Sequence, residues 1–186
     1  EVFQSEAPLE ITISSDETAG TITISDTGIG MTREELVENL GTIAHSGSKA
    51  FAAALKNSGK GGDASLIGQF GVGFYSAFIV ADRVLVESRK AGLADAQGVR
   101  WQSSADGDFT VETIDRAQRG TSVTLHLKDD AKEFADPWRL RSLVRRYSDH
   151  LAFPVRMPKQ GEATLEWEVV NQAQALWTRP RTEISD

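Results

Sequence analysis

Cysteine is absent from the 186-residue chain, which excludes disulfides and thiolate metal sites and fits a reducing compartment. No apolar run approaches the ~20 residues of a membrane helix, and no charged leader with an apolar core opens the sequence, so a cytoplasmic protein without a membrane partner is expected. Basic charge is also short. Twenty Lys and Arg face 27 Asp and Glu, a net charge of −7, and a field of that sign repels polyanions and disfavours a nucleic-acid partner. The GxxxxGK[ST], HExxH and GxSxG patterns are missing, which removes the P-loop, zinc-protease and serine-hydrolase readings. His45, His126 and His150 lie far apart, and the last two read as surface or packed structural residues.

What remains is an ordinary globular composition, 40 % hydrophobic and 25 % charged, in a length that suits one domain. There are no internal repeats. Leu9, Ile11 and Ile13, then Ile22 and Ile24, alternate with polar residues across a turn-rich stretch, so residues 9–25 read as a β-hairpin ending at Asp26. Thr32 and Glu35 have capping-box spacing for a helix running to Leu40, with Gly41 in the position of a glycine stop. Residues 41–73 hold eight of the sixteen glycines around one short helical run, 48–56, which is the profile of a mobile lid. A helix is expected from Phe74 to Val80, and strands around Val84 and Val86, Val99 and Trp101, Phe109 and Val111, and Val123 to Leu127. Asp129 and Asp130 read as a solvated turn. Asp136 and Pro137 open a helix with Leu140, Leu143, Val144 and Tyr147 on one face. Residues 158–163 read as a linker and 165–170 as a strand. Helices and strands in separate blocks predict an α+β fold, helices on one face of a mostly antiparallel sheet.

Chemistry concentrates at two glycine clusters. Asp26 ends an apolar strand at the turn Thr27-Gly28-Ile29-Gly30-Met31, where its carboxylate either caps the turn or accepts from a ligand amine. The stretch GQFGVGFYSAF, residues 68–78, places three glycines before an apolar helical run. It reads either as a connector or as an amide cradle for a phosphate at a helix start. Its GxxGxG spacing differs from the GxGxxG of dinucleotide folds.

Residues 26–31 (DTGIGM), 39–49 (NLGTIAHSGSK), 68–76 (GQFGVGFYS) and Gly120-Thr121 together resemble the ATP-binding domain of the ninety-kilodalton heat-shock chaperones. The first motif alone marks only the superfamily shared with gyrase B, histidine kinases and MutL; the second and third are those of the chaperone branch. The resemblance runs from about residue 9 to the end of the chain. Residues 167–171 and 176–179 are similar to the family's passage into its middle domain, and no long charged linker intervenes, as in the bacterial form.

The resemblance implies the two-layer α+β sandwich of that superfamily, with residues 1–170 as the N-terminal ATP-binding domain and 171–186 as linker and start of the middle domain. It implies that Asp26 accepts the adenine exocyclic amine, that Thr121 supports this contact through water, and that Gly30 and Met31 border the base. Asn39 and Leu40 would lie near the ribose, and Gly71, Gly73 and Phe74 would give phosphate-facing backbone. His45 stands where lysine is common. The implied cofactors are ATP or ADP, with Mg2+ held through the nucleotide phosphates. The implied partners are unfolded client proteins and, in the parent protein, a second copy of itself. In the family a helix upstream of the first hairpin carries the general-base Glu and a Mg2+-binding Asn. Only 25 residues precede Asp26, so no catalytic residue and no ATPase activity are expected of this stretch alone. The competing readings are a nucleotide-independent client- or partner-binding module and, against the charge, a gyrase-like or MutL-like DNA enzyme.

Overall fold

The computed structural model describes residues 8–41, 73–104, 108–161 and 166–172. The expected short helix over 48–56 and most of the lid, with His45 and Gly71, lie outside the described residues. β1 (Ile11–Asp16) and β2 (Thr21–Asp26) form the expected hairpin in full register, Ile11 opposite Asp26 and Asp16 opposite Thr21. α1 (Arg33–Leu40) starts at Thr32 with both capping-box bonds made. Gly41 caps it, but with φ −83 rather than a left-handed turn. Glycine is needed there because a Cβ would meet Val37 O at 2.5 Å.

After a 3-10 turn, Phe74–Ser76, and a short α2 (Ala77–Val80), the chain enters β3 (Ala81–Arg89), β4 (Gly98–Ser103), β5 (Phe109–Ile114) and β6 (Gly120–Leu127). A 3-10 segment, Asp129–Ala135, leads into α3 (Pro137–Tyr147), whose N-cap Asp136 accepts from the Trp138 and Arg139 amides. Asp129 is solvent-exposed, as a charged turn should be. On α3 the apolar face is narrower than expected. Leu140 and Val144 are buried, whereas Tyr147 is 61 % exposed and Arg141 takes an inward place, its guanidinium bonded to Glu168 and to Pro158 O. The stretch read as a linker is instead the connection of a strand pair. β7 (Val155–Pro158) pairs with β8 (Trp167–Val169), and Lys159 N donates to Glu166 O across the junction. Asn171 is buried against this pair. Its Oδ1 accepts from Val155 N at 2.8 Å and its Nδ2 donates to Phe153 O at 3.0 Å.

The eight strands make one sheet in the order β5-β4-β3-β6-β2-β1-β7-β8, antiparallel except for β1 against β7. Side chains on a strand alternate between faces, and the registers align residues into rows. One row across the inner face runs Ile13, Ile24, Val123, Val86, Trp101, Val111. All of it but Ile24, which is 39 % exposed, packs in the same core as Leu36 of α1 and Leu140 and Val144 of α3. The opposite face carries the intervening residues, among them Thr12, Thr23, Ser25, Ser122 and Thr124, with Thr23 bonded to Thr124 and Ser25 to Ser122. Hydrophobic-in, polar-out alternation therefore fixes both the pairing and the two layers.

Candidate nucleotide site

Two residues along from the apolar row, the next inner row reads Ile11, Asp26, Thr121, Ser88, Val99, Thr113. Three polar side chains on adjacent strands thus interrupt an apolar face, at a strand spacing that spreads them over roughly 10 Å. Such a break must be hydrogen-bonded to persist. Asp26 Oδ1 accepts from Gly28 N at 2.8 Å, and among the described residues nothing is bonded to Oδ2. Ser88 is fully buried; its Oγ accepts from Met31 N at 2.8 Å and lies 2.9 Å from Thr121 Oγ1 and 3.2 Å from Gly120 O.

Ser88 has one hydroxyl hydrogen, so the network has two states. If that hydrogen goes to Thr121 Oγ1, the Thr121 hydrogen points to a ligand acceptor; if it goes to Gly120 O, Thr121 donates to Ser88 and offers a lone pair instead. The site can match either a donor or an acceptor without moving a heavy atom.

The turn after Asp26 is bound down on both sides. Gly30 has φ +68, and a Cβ on it would lie 2.0 Å from Arg89 O; Gly120 has φ +94, and a Cβ there would lie 2.1 Å from Asp26 O. Only glycine admits these backbone approaches. Ile29 O accepts from Ala91 N at 2.8 Å, and the buried Arg119 donates through Nε to Thr27 O at 3.0 Å. At the start of α1, Glu35 accepts from Thr32 N and from Lys90 Nζ. Partial burial pulls the Glu35 carboxyl up, but these bonds and the Lys90 charge outweigh it and hold the group below its ordinary range.

The sequence-predicted residues fall into four groups. Asp26, Gly30, Met31 and Thr121 share one hydrogen-bonded unit, with Asn39 Nδ2 3.9 Å from Met31 Sδ. Leu40 and Phe74 sit beside it rather than in it: Tyr75 Oη donates to Leu40 O at 2.9 Å, and the Phe74 ring stands edge-on to Trp101 at 5.5 Å. Gly73 has φ −61 and open space where a Cβ would stand, so no contact among the described residues requires glycine there. His45 and Gly71 lie outside the described residues. Ser88 is the residue that sequence reasoning missed. Its signal was the continued alternation Val84, Val86, Ser88, which places a hydroxyl where the strand pattern demands an apolar side chain.

A model of the histidine kinase-, DNA gyrase B- and HSP90-like ATPase family matches residues 5–132. The chain belongs to that family. Membership makes it a nucleotide-binding ATPase-type domain and accounts for the α+β sandwich. Among relatives of this ATPase domain, the protein called Chaperone protein HtpG from Verminephrobacter eiseniae is 52 % identical over 206 residues, which cover all of this chain and 31 % of the relative. The proteins of the same name from Cupriavidus taiwanensis and Pectobacterium atrosepticum are 53 % and 50 % identical over 193 residues each, again across the whole chain and 30 % and 31 % of the relatives. The chain thus spans about a third of the length of the relatives it matches. Among the described residues no helix is long and apolar enough to cross a membrane.

Proposed function

We propose that the chain is the ATP-binding domain of a heat-shock chaperone of the HtpG type, with Asp26 as the acceptor for the adenine amine. The observation that carries this reading is the polar row set into the apolar inner face: Asp26 Oδ1 is held by Gly28 N, leaving Oδ2 to accept from a ligand, and Thr121 beside it can turn its hydroxyl either way. An acceptor next to an ambivalent hydroxyl, with apolar neighbours on both sides, fits the amine edge of a purine. Gly30 and Met31 hold one border of the base through the Met31 N to Ser88 Oγ bond, and Asn39 and Leu40 lie toward the sugar.

Bound ATP would supply a phosphoanhydride whose hydrolysis would drive a conformational cycle, and Mg2+ would come with the nucleotide phosphates. The described residues contribute binding and orientation: Asp26 selects the amine, and Ser88 and Thr121 set the hydroxyl network. By the resemblance of its motifs, the glycine-rich segment 41–73, with His45, Gly71 and Gly73 and the following Phe74, would face the phosphates. Closure of that segment couples nucleotide state to clamping of a dimer on unfolded client proteins. This assignment carries over the names of the relatives and the sequence motifs, and the cytoplasm is its expected location.

The test is an equilibrium ADP titration of the full-length protein and its Asp26→Asn variant. Asparagine keeps an oxygen for Gly28 N but offers a donor where the ligand amine needs an acceptor, so the charge-assisted bond, ~2–3 kcal/mol, is lost and affinity falls by roughly 30- to 150-fold. Affinity within threefold of the parent would refute the role of Asp26. No ADP binding to the parent protein would refute the nucleotide reading and favour a client- or partner-binding module.

A further inference from the structure

The row between the two inner ones lies on the outer face and crosses all eight strands: Glu112, Arg100, Glu87, Ser122, Ser25, Thr12, Arg156, Val169. Its first half is electrostatically closed. Arg100 bonds Glu112 at 2.9 Å and Glu87 Oε1 at 2.6 Å. Its second half is a floor of three hydroxyls on adjacent strands, ending at Arg156, which is occupied by Glu10 at 3.2 Å.

Arg116, in the loop between β5 and β6, stands at the junction of the halves and is poorly compensated. Its side chain is only 14 % exposed, its Nε is buried without a partner, and the carboxylate nearest to it, Glu87 Oε2, is 3.7 Å away and belongs to a group already engaged by Arg100. Its close bond is to a neutral oxygen, Ser122 Oγ, at 2.9 Å. Burial pulls this guanidinium below its ordinary range, ahead of the compensation from Glu87 and Asp26, and Arg89 adds like charge. Ser122 Oγ also accepts from Ser25 Oγ at 2.8 Å. With both its lone pairs used, its own hydrogen has no acceptor among the described residues. A guanidinium with no carboxylate in close contact and a hydroxyl donor without an acceptor therefore adjoin in one cleft of about 550 Å3 that also reaches Arg119, Trp167 and two carboxylates, Asp26 and the Arg156-paired Glu10. What is missing from both is an anionic oxygen.

We propose that Arg116 and the Ser122 hydroxyl form a binding site for an oxyanion, the carboxylate or phosphate group of a small ligand, on the face of the sheet opposite the nucleotide site. A planar guanidinium beside a hydroxyl donor suits two oxygens of one such group. The floor of Ser25 and Thr12 extends the site by two strand spacings, about 10 Å, toward Trp167, so a ligand with a polar body beyond its anionic group fits better than a bare ion. Thr121 and Ser88 do not line this cleft, whereas Asp26 does and its charge reaches Arg116, so independence from the nucleotide site is read from competition with ADP.

The experiment is NMR line broadening with the full-length protein, following the 31P signal of inorganic phosphate and, separately, the proton signals of citrate. Both should broaden saturably, equally with and without saturating ADP, and the better of the two probes tells a phosphate ligand from a carboxylate one. Arg116→Gln should raise the apparent Kd at least ~10-fold, and Ser122→Ala several-fold, since each removes one of the two donors. Ser122→Ala leaves every charge in place and guards against misfolding of the arginine variant. The proposal is overturned by absence of broadening for both probes at about 20 mM, where even millimolar affinity would show. It is equally overturned if both variants retain Kd within twofold, or if saturating ADP abolishes the broadening and thereby locates the ion in the nucleotide site.

Discussion

Replacing Ser88 by alanine removes one oxygen and leaves three groups to rearrange. Met31 N–H loses its acceptor, at 2.8 Å, in a partly buried turn; Thr121 Oγ1 and Gly120 O lose a neighbour at 2.9 and 3.2 Å. The main penalty is the orphaned amide, about 1–3 kcal/mol. For a domain of this size 1 kcal/mol lowers Tm by roughly 2–4 °C, so the variant should melt about 4–8 °C lower at the middle of that range. The same change frees the Thr121 hydroxyl to rotate, and ADP affinity should fall by roughly tenfold, the equivalent of one modest hydrogen bond. The assay pairs thermal unfolding with an ADP titration of the full-length protein, and Ser88→Thr is the control that restores a hydroxyl. If Ser88→Ala melts within 1 °C of the parent and binds ADP within twofold, Ser88 neither holds the turn nor sets Thr121, and the two-state network fails with it.

Gly30→Ala should destabilise by at least ~3 kcal/mol, since its Cβ would enter a backbone oxygen at 2.0 Å with φ at +68, whereas Gly73→Ala, with φ −61 and open space, should be neutral or stabilise by about 0.4–1 kcal/mol; equal melting losses in the two would contradict the described turn. His126 has its pKa lowered from 6.5, first by burial and then by Arg83, with the acidic Asp82 opposing, and its Nδ1 lies 3.0 Å from an Arg83 nitrogen. Its neutral form is the one that the fold favours, so its contribution is fully present above pH 6.5 and is lost as pH falls through the lower native value. Urea unfolding at pH 7.5 and 5.5 should therefore show a smaller stability difference in His126→Gln than in the parent, and an unchanged difference would count against that environment.

Much of the architecture could be read from the amino acids alone because it is set by short-range pattern. The β1–β2 hairpin follows from alternating isoleucines, α1 from Thr32 and Glu35, and α3 from Asp136 and Pro137. β7 escaped because only Val155 and Met157 carry its alternation, and its pairing partners are supplied by distant stretches of the chain. The inward turn of Arg141 escaped because a charged residue is buried only when partners such as Glu168 and Pro158 O come from elsewhere. At the candidate site, Asp26 and the glycine turn were legible as local chemistry. Ser88 and the outer row were not, because they exist only once the strand registers are known.

Those registers join distant parts of the chain, which sets a clock for synthesis. Ser25 meets its partner Ser122 only across 97 residues, and Glu10 meets Arg156 across 146. At translation speeds of 5–20 residues per second, the first hairpin leaves the ribosome roughly 5–20 s before β6 exists to pair with it. Through that interval Ile22, buried in the finished fold, has no Leu125 beside it, and Asp26 has neither Thr121 nor Ser88. Until β6 is made the β1–β2 hairpin is an exposed, aggregation-prone edge, and the nucleotide site is complete only near the end of the domain's synthesis.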